Sequence, residues 1–404
     1  MSHTPDITLP LSLRFRPVFE RIAQGAVQRE SERELLHEAV GWLRDAGFGA
    51  LRVPQEQGGL GASVEELFDL VIDLAEADSN LPQALRSHFG FIERARSELQ
   101  PEQAAPWLAL AGQGGIFGNG TTEVGDGTVG VLQTVLTPDA KDWRLSGDKY
   151  YSTGSLYADW IAITARRQGA DTDDRVIAMV RATAPGVERS DDWRGFGQRL
   201  TASGTTRLRN VAVPDEHIFV FDRSQPSSIT ALFQLFHIAT LAGVARAILR
   251  DAVAYVQARQ RVYSQGSAPR TRDDPLVQQV VGHLSAVAFS ATAAAREVAR
   301  GLGDIDRLRA AGHAVPEALV VDVELRAAQA QVSVSEAVLG AATRLFDVGG
   351  ASALDEDRRL DRHWRNARTL ASHNPAIYKA RALGDHALNG TRPTFYWSVG
   401  VAPA

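Results

Sequence analysis

The spacing of hydrophobic residues changes twice along the chain. Over residues 13–110, apolar positions recur every three or four residues, a pattern that predicts amphipathic helices. One apolar stripe consists of Leu35, Leu36, Ala39, Val40 and Leu43. Gly47 follows this stripe and suits the C-cap of its helix. Ser63 and Glu66 have the spacing of a capping box, so another helix is expected to begin there.

The middle of the chain has the pattern of β-strands. Glycine, threonine and valine become more frequent over residues 115–223, and short β-type runs alternate with turn residues. The runs are VGVLQTVLT (129–137), WIAITARR (160–167), RVIAMVRAT (175–183) and TTRLRNVAVP (205–214). In LSGDKYYS (145–152) the Ser-Gly-Asp triplet predicts a hairpin turn. A mostly antiparallel β domain is therefore expected here.

Helical periodicity returns after residue 227. Long helical segments are predicted at 229–261, 275–300 and 316–346. Their alanine-rich faces are typical of closely packed helices. The predicted fold class is α+β and mainly α. Its three predicted domains are an N-terminal helical domain (1–114), a central antiparallel β domain (115–226) and a C-terminal helical bundle (227–404).

Composition narrows the class of protein. The chain has 404 residues, of which 44% are hydrophobic and 23% charged, as in ordinary globular proteins. The formal net charge is -5, so no basic surplus is available for nucleic acid, and no nucleic-acid partner is expected. Disulfides and thiolate nucleophiles are excluded because the chain has no cysteine. The ten histidines lack metal-ligand spacing, so no metal site is predicted.

The sequence also suggests where the protein resides. The N-terminal MSHTPDITLP lacks the basic and apolar regions of a signal peptide. We identified no apolar run close to the roughly 18 residues that span a bilayer. A cytoplasmic protein without a membrane segment is therefore expected.

One histidine near the C-terminus is a candidate for chemistry. In SHNPAIYKAR, Asn374 suits an N-cap and Pro375 suits the first helical position. This places His373 just outside a helix N-terminus, where the macrodipole disfavours an imidazolium. A largely neutral His373 is expected. From the residues alone, a histidine satisfied by a backbone carbonyl at a helix start is the better explanation of the pattern.

Several segments resemble the acyl-CoA dehydrogenase superfamily of flavoproteins. They are GGLGAS (58–63), FGNGTTE (117–123), GDKYYSTGSLYADWIAI (147–163) and RLFDVGGASAL (344–354). The resemblance covers nearly the whole chain and implies that superfamily's fold, with a β domain between two helical domains. It also implies a flavin cofactor.

The resemblance is more specific than the fold. Dehydrogenases of this superfamily use a glutamate as the base, placed in one of two regions. Here residues 223–250 and 362–383 contain neither Asp nor Glu. Other segments instead resemble the two-component flavin monooxygenases typified by dibenzothiophene monooxygenase. They are SHFGF (87–91), KYYSTGS (149–155), DDWRGFGQRLTASGT (191–205) and LDRHWRNARTLASHNP (360–375).

That branch implies a reaction and its partners. A separate flavin reductase would supply reduced FMN, which reacts with molecular oxygen to form a C4a-hydroperoxyflavin. This species would oxygenate a small organosulfur compound. Alternatives are N-hydroxylation of an amine, an acyl-CoA dehydrogenase using FAD, and a flavin-free scaffold. The resemblance further implies a homotetramer.

The same resemblance assigns roles to individual residues. The implied catalytic residues are His373, His88, Ser152 and Asn119. The implied cofactor-binding residues are Phe117, Asn119, Thr121, Lys149, Ser152, Thr153, Trp193, Arg270 and Ser352. His88 is expected near the beginning of a helix, and Trp193 beside the flavin ring; for each, a purely structural role remains open. Arg270 is the expected phosphate ligand, near a subunit interface.

Overall fold

The computed structural model describes residues 9–125, 127–170, 174–224, 226–396 and 400–401. Five helices precede the strands. They are α1 (Leu11–Glu32), α2 (His37–Asp45), α3 (Val64–Ala77), α4 (Asn80–Glu98) and α5 (Pro101–Gly112). The predicted capping box begins α3: the Ser63 hydroxyl accepts from the Glu66 N–H at 3.1 Å, and the Glu66 carboxylate accepts from the Ser63 N–H at 2.8 Å. Gly47 follows α2 in the left-handed conformation, at φ +82°, as predicted.

The strands form one mixed sheet. They are β1 (Phe117–Gly120), β2 (Val135–Asp139), β3 (Asp142–Lys149), β4 (Trp160–Arg167), β5 (Val176–Arg181), β6 (Val187–Arg189), β7 (Thr206–Val213) and β8 (Ile218–Val220). The order is β6-β7-β3-β2-β4-β5-β8, and β1 also pairs with β4. The sheet is mostly antiparallel, as expected, but β1 and β2 both run parallel to β4.

The predicted turn in LSGDKYYS is wrong. Residues Asp142–Lys149 form one continuous strand, and the chain reverses before it, at Ala140, whose φ is +54°. Gly147 adopts φ +154° and lies where the register between β3 and β7 shifts. Glycine is needed there because a Cβ would lie 2.6 Å from Cα of Thr134. The glycine therefore marks a β-bulge.

Five further helices follow the strands. They are α6 (Ser228–Ala258), α7 (Pro275–Ala310), α8 (Glu317–Arg344), α9 (Asp361–Ser372) and α10 (Ala376–Asn389). The first three correspond to the three predicted long segments, although α7 extends ten residues beyond the predicted end. Short 3-10 turns fill the interval between α8 and α9.

The helices before and after the sheet share one hydrophobic core. It includes Phe15 of α1, Phe68 of α3, Phe89 of α4 and Phe236 of α6. Phe236 contacts the rings of both Phe68 and Phe89, at centroid distances of 4.9 and 5.7 Å. Separate clusters lie between α4, α5 and the sheet, and within the sheet itself. Helix α4 therefore contributes to both the helical core and the packing of the sheet.

Helix α6 is long and apolar enough to cross a membrane, so the expectation that no such run exists was wrong. Its 18-residue apolar window has a mean hydropathy of 1.6, and 83% of that window is buried inside the protein. Such burial is typical of a core helix and makes the membrane signal weak.

A buried charge network joins the first and last helical segments. Arg52 donates to Glu93 of α4 at 2.6 Å and to Asp306 of α7 at 2.9 Å, and its side chain is only 2% exposed. Desolvation opposes its charge, but the two carboxylates outweigh this effect and raise the pKa of Arg52. The Arg52 guanidinium joins Glu93 to Asp306, so the network requires it.

We predict that Arg52→Met lowers the free energy of unfolding by about 3–5 kcal/mol, because two carboxylates lose a buried partner. Arg296→Met is the matched control, since Arg296 pairs with Asp69 at the surface and its side chain is 57% exposed. The control should cost less than about 1 kcal/mol. Equilibrium urea unfolding measures both values, and equal losses would contradict the prediction.

Candidate active site

Helix α4 brings three parts of the chain together. Ser87 donates a 2.8 Å hydrogen bond to the side-chain oxygen of Asn119 on β1. Arg86 lies 3.3 Å from the His373 ring at the junction of α9 and α10. Gly154, in the loop after β3, lies against the α4 backbone, because a Cβ there would come within 2.2 Å of the Ala84 carbonyl oxygen. Three predicted site segments therefore converge on about one turn of a single helix.

His373 does not lie where the sequence predicted. It is the C-cap residue of α9, and α10 begins only at Ala376. The predicted N-cap at Asn374 is wrong, because the Asn374 side-chain amide donates instead to Gln234 of α6 at 2.9 Å. A helix C-terminus favours an imidazolium, so the dipole argument for a neutral His373 does not hold.

Other effects nevertheless favour a neutral His373. His373 is exposed to solvent in the single chain, and its ring lies beside Arg86 and His237. Desolvation and then the positive charge of Arg86 lower the pKa of His373 to about 3. We assign the tautomer from the bonding partners. Nε2 accepts from Arg86, so Nδ1 carries the proton and faces the Asn374 oxygen at 3.4 Å.

His237 of α6 is a second histidine in this cluster, which the sequence analysis did not identify. The centroids of the His237 and His373 rings are 4.3 Å apart. His237 is 2% exposed, and neither of its ring nitrogens has a hydrogen-bond partner among the described residues. Burial, then His373 and Arg86, lower the pKa of His237. We call Arg86, His237, His373 and Asn374 the histidine–arginine cluster.

Arg86 was also missed, although the sequence contained a signal for both residues. Arg86 lies in a run of α4 that is buried from Asn80 to Glu93. His237 lies in a stretch, residues 228–245, that contains no charged residue. Charged or titratable side chains that interrupt an apolar helix are unusual and require a partner or a function.

Two amides fix the junction that carries His373. The Asn374 side chain donates to Gln234, and the Asn374 carbonyl accepts from Gln331 of α8 at 2.7 Å. These bonds tie the α9–α10 junction to two long helices. Because Asn374 makes both bonds, they fix the backbone directly next to His373.

Carboxylates are absent from the cluster. In the part of the chain that the structure describes, no Asp or Glu bonds to Arg86, His237 or His373. No carboxylate is among the groups that shift the pKa of any of the three. The cluster can therefore donate hydrogen bonds and attract anions, but it has no carboxylate to remove a proton from carbon.

His88 connects two backbone segments. It lies in the middle of α4, not near its beginning as expected. The ring is fully buried; Nε2 bonds to the Gly49 carbonyl at 2.8 Å, and the Phe117 N–H donates to Nδ1 at 3.2 Å. Both nitrogens are thus engaged with the backbone. Desolvation is the main cause that lowers the pKa of His88, to about 4, although the Gly49 bond opposes it.

The loop after β3 presents a buried hydroxyl without a partner. Ser152 is fully buried, and its Oγ makes no hydrogen bond. Its neighbour Thr153 bonds to Ser203 at 2.9 Å. On β1, the Asn119 amide is 3.5 Å from the Thr121 hydroxyl, which remains exposed. Ser152 is therefore the polar group among these residues that most clearly lacks a partner.

Phe117 and Trp193, two of the implied cofactor-binding residues, have different surroundings. Phe117 is buried and stacks on His88, with ring centroids 5.6 Å apart. Trp193 donates from its indole nitrogen to the Gln198 carbonyl at 3.0 Å, and its ring meets Tyr151 edge-on at 5.7 Å. Phe117 thus packs in the core, whereas Trp193 is only partly buried.

The residues implied for phosphate binding are dispersed. Lys149 is fully buried, and its ammonium pairs with Glu123 at 2.6 Å. Arg270 is largely exposed, with Nε 2.5 Å from Asp273. Ser352 bonds to the Tyr255 hydroxyl at 2.7 Å. None of the three bonds to the histidine–arginine cluster within the described chain.

We predict that His88 makes stability depend on pH. The pKa of His88 is lower in the folded protein than in the unfolded chain. The stabilisation that the neutral ring gives the folded protein is therefore complete above about pH 6.5 and is lost as the pH falls towards 4. The advantage of the wild type over His88→Gln should shrink by roughly 3 kcal/mol across that window. Urea unfolding at several pH values measures it. His313→Gln, an exposed control, should follow the wild type; a constant gap for His88→Gln would contradict the role.

Comparisons with known proteins agree with the geometry. The family model for the acyl-CoA dehydrogenase C-terminal domain matches residues 235–376, and that for the middle domain matches residues 119–211. The probable FMNH2-dependent monooxygenase SfnC of Pseudomonas putida is 29% identical, over 94% of this chain and 96% of its own.

Two solved structures have the same fold. The methanesulfinate monooxygenase MsuC from Pseudomonas fluorescens superimposes with a TM-score of 0.88 at 27% identity, over 96% of this chain and 99% of its own. FMN-bound TdsC from Paenibacillus sp. A11-2 superimposes with a TM-score of 0.86 at 26% identity, over 94% of this chain and 98% of its own. The predicted fold class is confirmed. The chain belongs to the acyl-CoA dehydrogenase superfamily, in its branch of FMN-dependent monooxygenases.

Proposed function

We propose that this protein uses reduced FMN, supplied by a separate reductase, and molecular oxygen to oxygenate a small organosulfur compound. One observation carries the proposal: the histidine–arginine cluster contains neutral histidines and a cation but no carboxylate. This donor set suits oxygen transfer and lacks the base of a dehydrogenase. SfnC and MsuC are named as monooxygenases, and the structure of TdsC contains FMN. These relatives support the same reaction class and cofactor.

The residues present fit a bound flavin. The buried Ser152 hydroxyl has no partner among the described residues, and Asn119 on β1 offers a neutral amide. A hydroxyl and an amide can hold a flavin ring edge without adding charge. The partly buried Trp193 indole offers a flat apolar wall beside Tyr151. Ser152, Asn119 and Trp193 would therefore hold the isoalloxazine.

Each of these residues has a distinct task. Bound reduced FMN supplies the electrons that activate oxygen. His373 carries its N–H at Nδ1 and can donate a hydrogen bond from it to an oxygen atom nearby. Arg86 keeps that imidazole neutral and oriented through Nε2. Trp193 excludes water from the flavin face, which limits the unproductive release of hydrogen peroxide.

An acyl-CoA dehydrogenase function is disfavoured by the site itself. Removing a proton from the carbon next to a thioester requires a base near the flavin. In the described residues, the α9–α10 junction presents His373 and Asn374, and the facing turn of α6 presents Gln234 and His237. The lowered pKa values of both histidines make them weak bases.

We also propose that the protein assembles with copies of itself. Large apolar side chains are exposed on α7 and α10: Phe289 is 76%, Ile377 72% and Leu388 85% exposed. Burying these in a homotetramer would remove them from water. Arg270 would then contribute to a phosphate site near an interface between subunits. The expected cytoplasmic location stays a prediction.

We predict that His373→Ala binds FMN with unchanged affinity but loses coupled oxygenation. Without the imidazole, reduced FMN should still consume oxygen but release hydrogen peroxide, because no N–H remains at this position to hold the reacting oxygen by a hydrogen bond. Mass spectrometry of ¹⁸O2 incorporated into methanesulfinate or dibenzothiophene, with peroxide measured in parallel, tests this. The control is His313→Ala, in the turn between α7 and α8. Normal ¹⁸O incorporation by His373→Ala would remove His373 from the mechanism.

We also predict that Arg270→Ala weakens FMN binding by about 1.5–3 kcal/mol, the value of a charge-assisted hydrogen bond to phosphate. Arg272→Ala is the neighbouring control, since only its backbone carbonyl bonds, to Gln278. Fluorescence titration of FMN into both variants measures the difference. Equal affinities would mean that the phosphate binds elsewhere.

A further inference from the structure

Arg86 is an exception among the buried arginines of this chain. Four arginines are buried in the described residues: Arg29, Arg52, Arg86 and Arg362. Three of them pair with carboxylates: Arg29 with Asp78 at 3.0 Å, Arg52 with Glu93 at 2.6 Å and Arg362 with Asp251 at 2.6 Å. Arg86, which is 9% exposed, has no carboxylate partner. Elsewhere, then, the fold supplies an anion to each buried guanidinium.

The contacts of Arg86 leave its charge uncompensated. One terminal nitrogen donates to the neutral His373 ring, and Nε has no partner in the part of the chain that the structure describes. The Phe233 ring lies 5.2 Å from the guanidinium carbon and gives a weak cation–π contact. Burial is the only cause that acts on the pKa of Arg86, which falls to about 10, so the group stays charged near neutral pH. An unpaired buried cation is costly unless an anion completes the site.

A second unused donor lies beside it. A neutral imidazole always carries one N–H, and neither nitrogen of His237 has a partner. His237 touches the His373 ring, which in turn bonds to Arg86. The cluster therefore presents an N–H of Arg86 and an N–H of His237 without acceptors. The neighbouring amide oxygens are already engaged, because Gln234 Oε1 accepts from Asn374 and Asn374 Oδ1 faces Nδ1 of His373.

We propose that Arg86 and His237 bind the oxyanion of the substrate, and that this substrate is a small sulfinate rather than a neutral sulfide or thiophene. The inference rests on the proposed function and names its substrate class. Arg86 supplies the positive charge, and His237 supplies a neutral donor beside it. The two together suit a compact group with two acceptor oxygens.

The corresponding reaction balances. A sulfinate, molecular oxygen and FMNH2 give a sulfonate, FMN and water. One sulfur–oxygen bond forms, and sulfur loses two electrons. FMNH2 loses two electrons and two protons, which reduce the other oxygen atom to water.

The test is a binding measurement with a charged ligand and its neutral counterpart. Methanesulfinate and dimethyl sulfoxide have similar size, but only the first is an anion. Isothermal titration calorimetry on the full chain with oxidised FMN should give methanesulfinate an affinity at least tenfold higher. Equal affinities would overturn the proposal. So would acetate binding as tightly as methanesulfinate, because the site would then not select the sulfur oxyanion.

Variants assign that preference to Arg86. Arg86→Met should weaken methanesulfinate binding at least tenfold, leave dimethyl sulfoxide within twofold, and leave FMN affinity unchanged; Arg86→Lys should recover part of the loss. Arg94→Met is the control on the same helix, where Arg94 stacks on Phe221. Lost FMN affinity with unchanged methanesulfinate binding would mean that the guanidinium serves the flavin instead, and would overturn the proposal.

Two further results separate this inference from the proposed function. If Arg86→Met does not fold, His237→Phe tests the second donor and should also weaken methanesulfinate binding. Tight methanesulfinate binding without any ¹⁸O incorporation would preserve the oxyanion site and contradict the oxygenase. Incorporation of ¹⁸O into a neutral sulfide with no binding of methanesulfinate would preserve the oxygenase and contradict the oxyanion site.

Discussion

The position of helix α4 determines the geometry of the site. Within five residues, the helix contacts the loop after β3 at Ala84, the α9–α10 junction at Arg86, strand β1 at Ser87, and the Gly49 and Phe117 backbone at His88. Most of these residues are buried, so α4 cannot shift without disturbing two hydrophobic clusters. The cofactor and substrate regions are therefore fixed relative to each other by core packing.

The chemical properties of the site depend on which charged side chains remain unpaired after packing. Elsewhere the fold pairs its buried arginines with carboxylates, as at Arg52 and Arg362. In the histidine–arginine cluster the guanidinium faces two imidazoles instead, and their pKa values are lowered by burial and by that cation. Such a site cannot act as a carboxylate base, but it can orient a proton and attract an anion. The same superfamily fold can thus serve oxygen transfer in place of dehydrogenation.

The sequence predicted those features that depend on local patterns. The capping box at Ser63 and Glu66, the left-handed Gly47 and the three long helices after the sheet follow from periodicity and capping chemistry. The errors arose where distant contacts override local preference. Asn374 bonds to Gln234 rather than capping a helix, and Gly147 relieves a contact with Thr134 rather than forming a turn.

The residues that were missed have the same explanation. The sequence shows Arg86 and His237 only as polar interruptions of two helices, whereas their burial without a carboxylate partner is visible only after folding. Arg270 and Ser352 were proposed through resemblance and lie apart from the cluster within one chain. Their proposed roles involve a cofactor and a subunit interface, which lie beyond the contacts within one chain.

The proposed function requires this site to stabilise the intermediate that forms when reduced FMN reacts with oxygen. The most direct measurement is stopped-flow absorbance after the protein with anaerobically reduced FMN is mixed with oxygenated buffer. A long-lived intermediate that decays slowly to oxidised FMN is the predicted result. Reoxidation in a single step, at the rate of free FMN, would contradict the account.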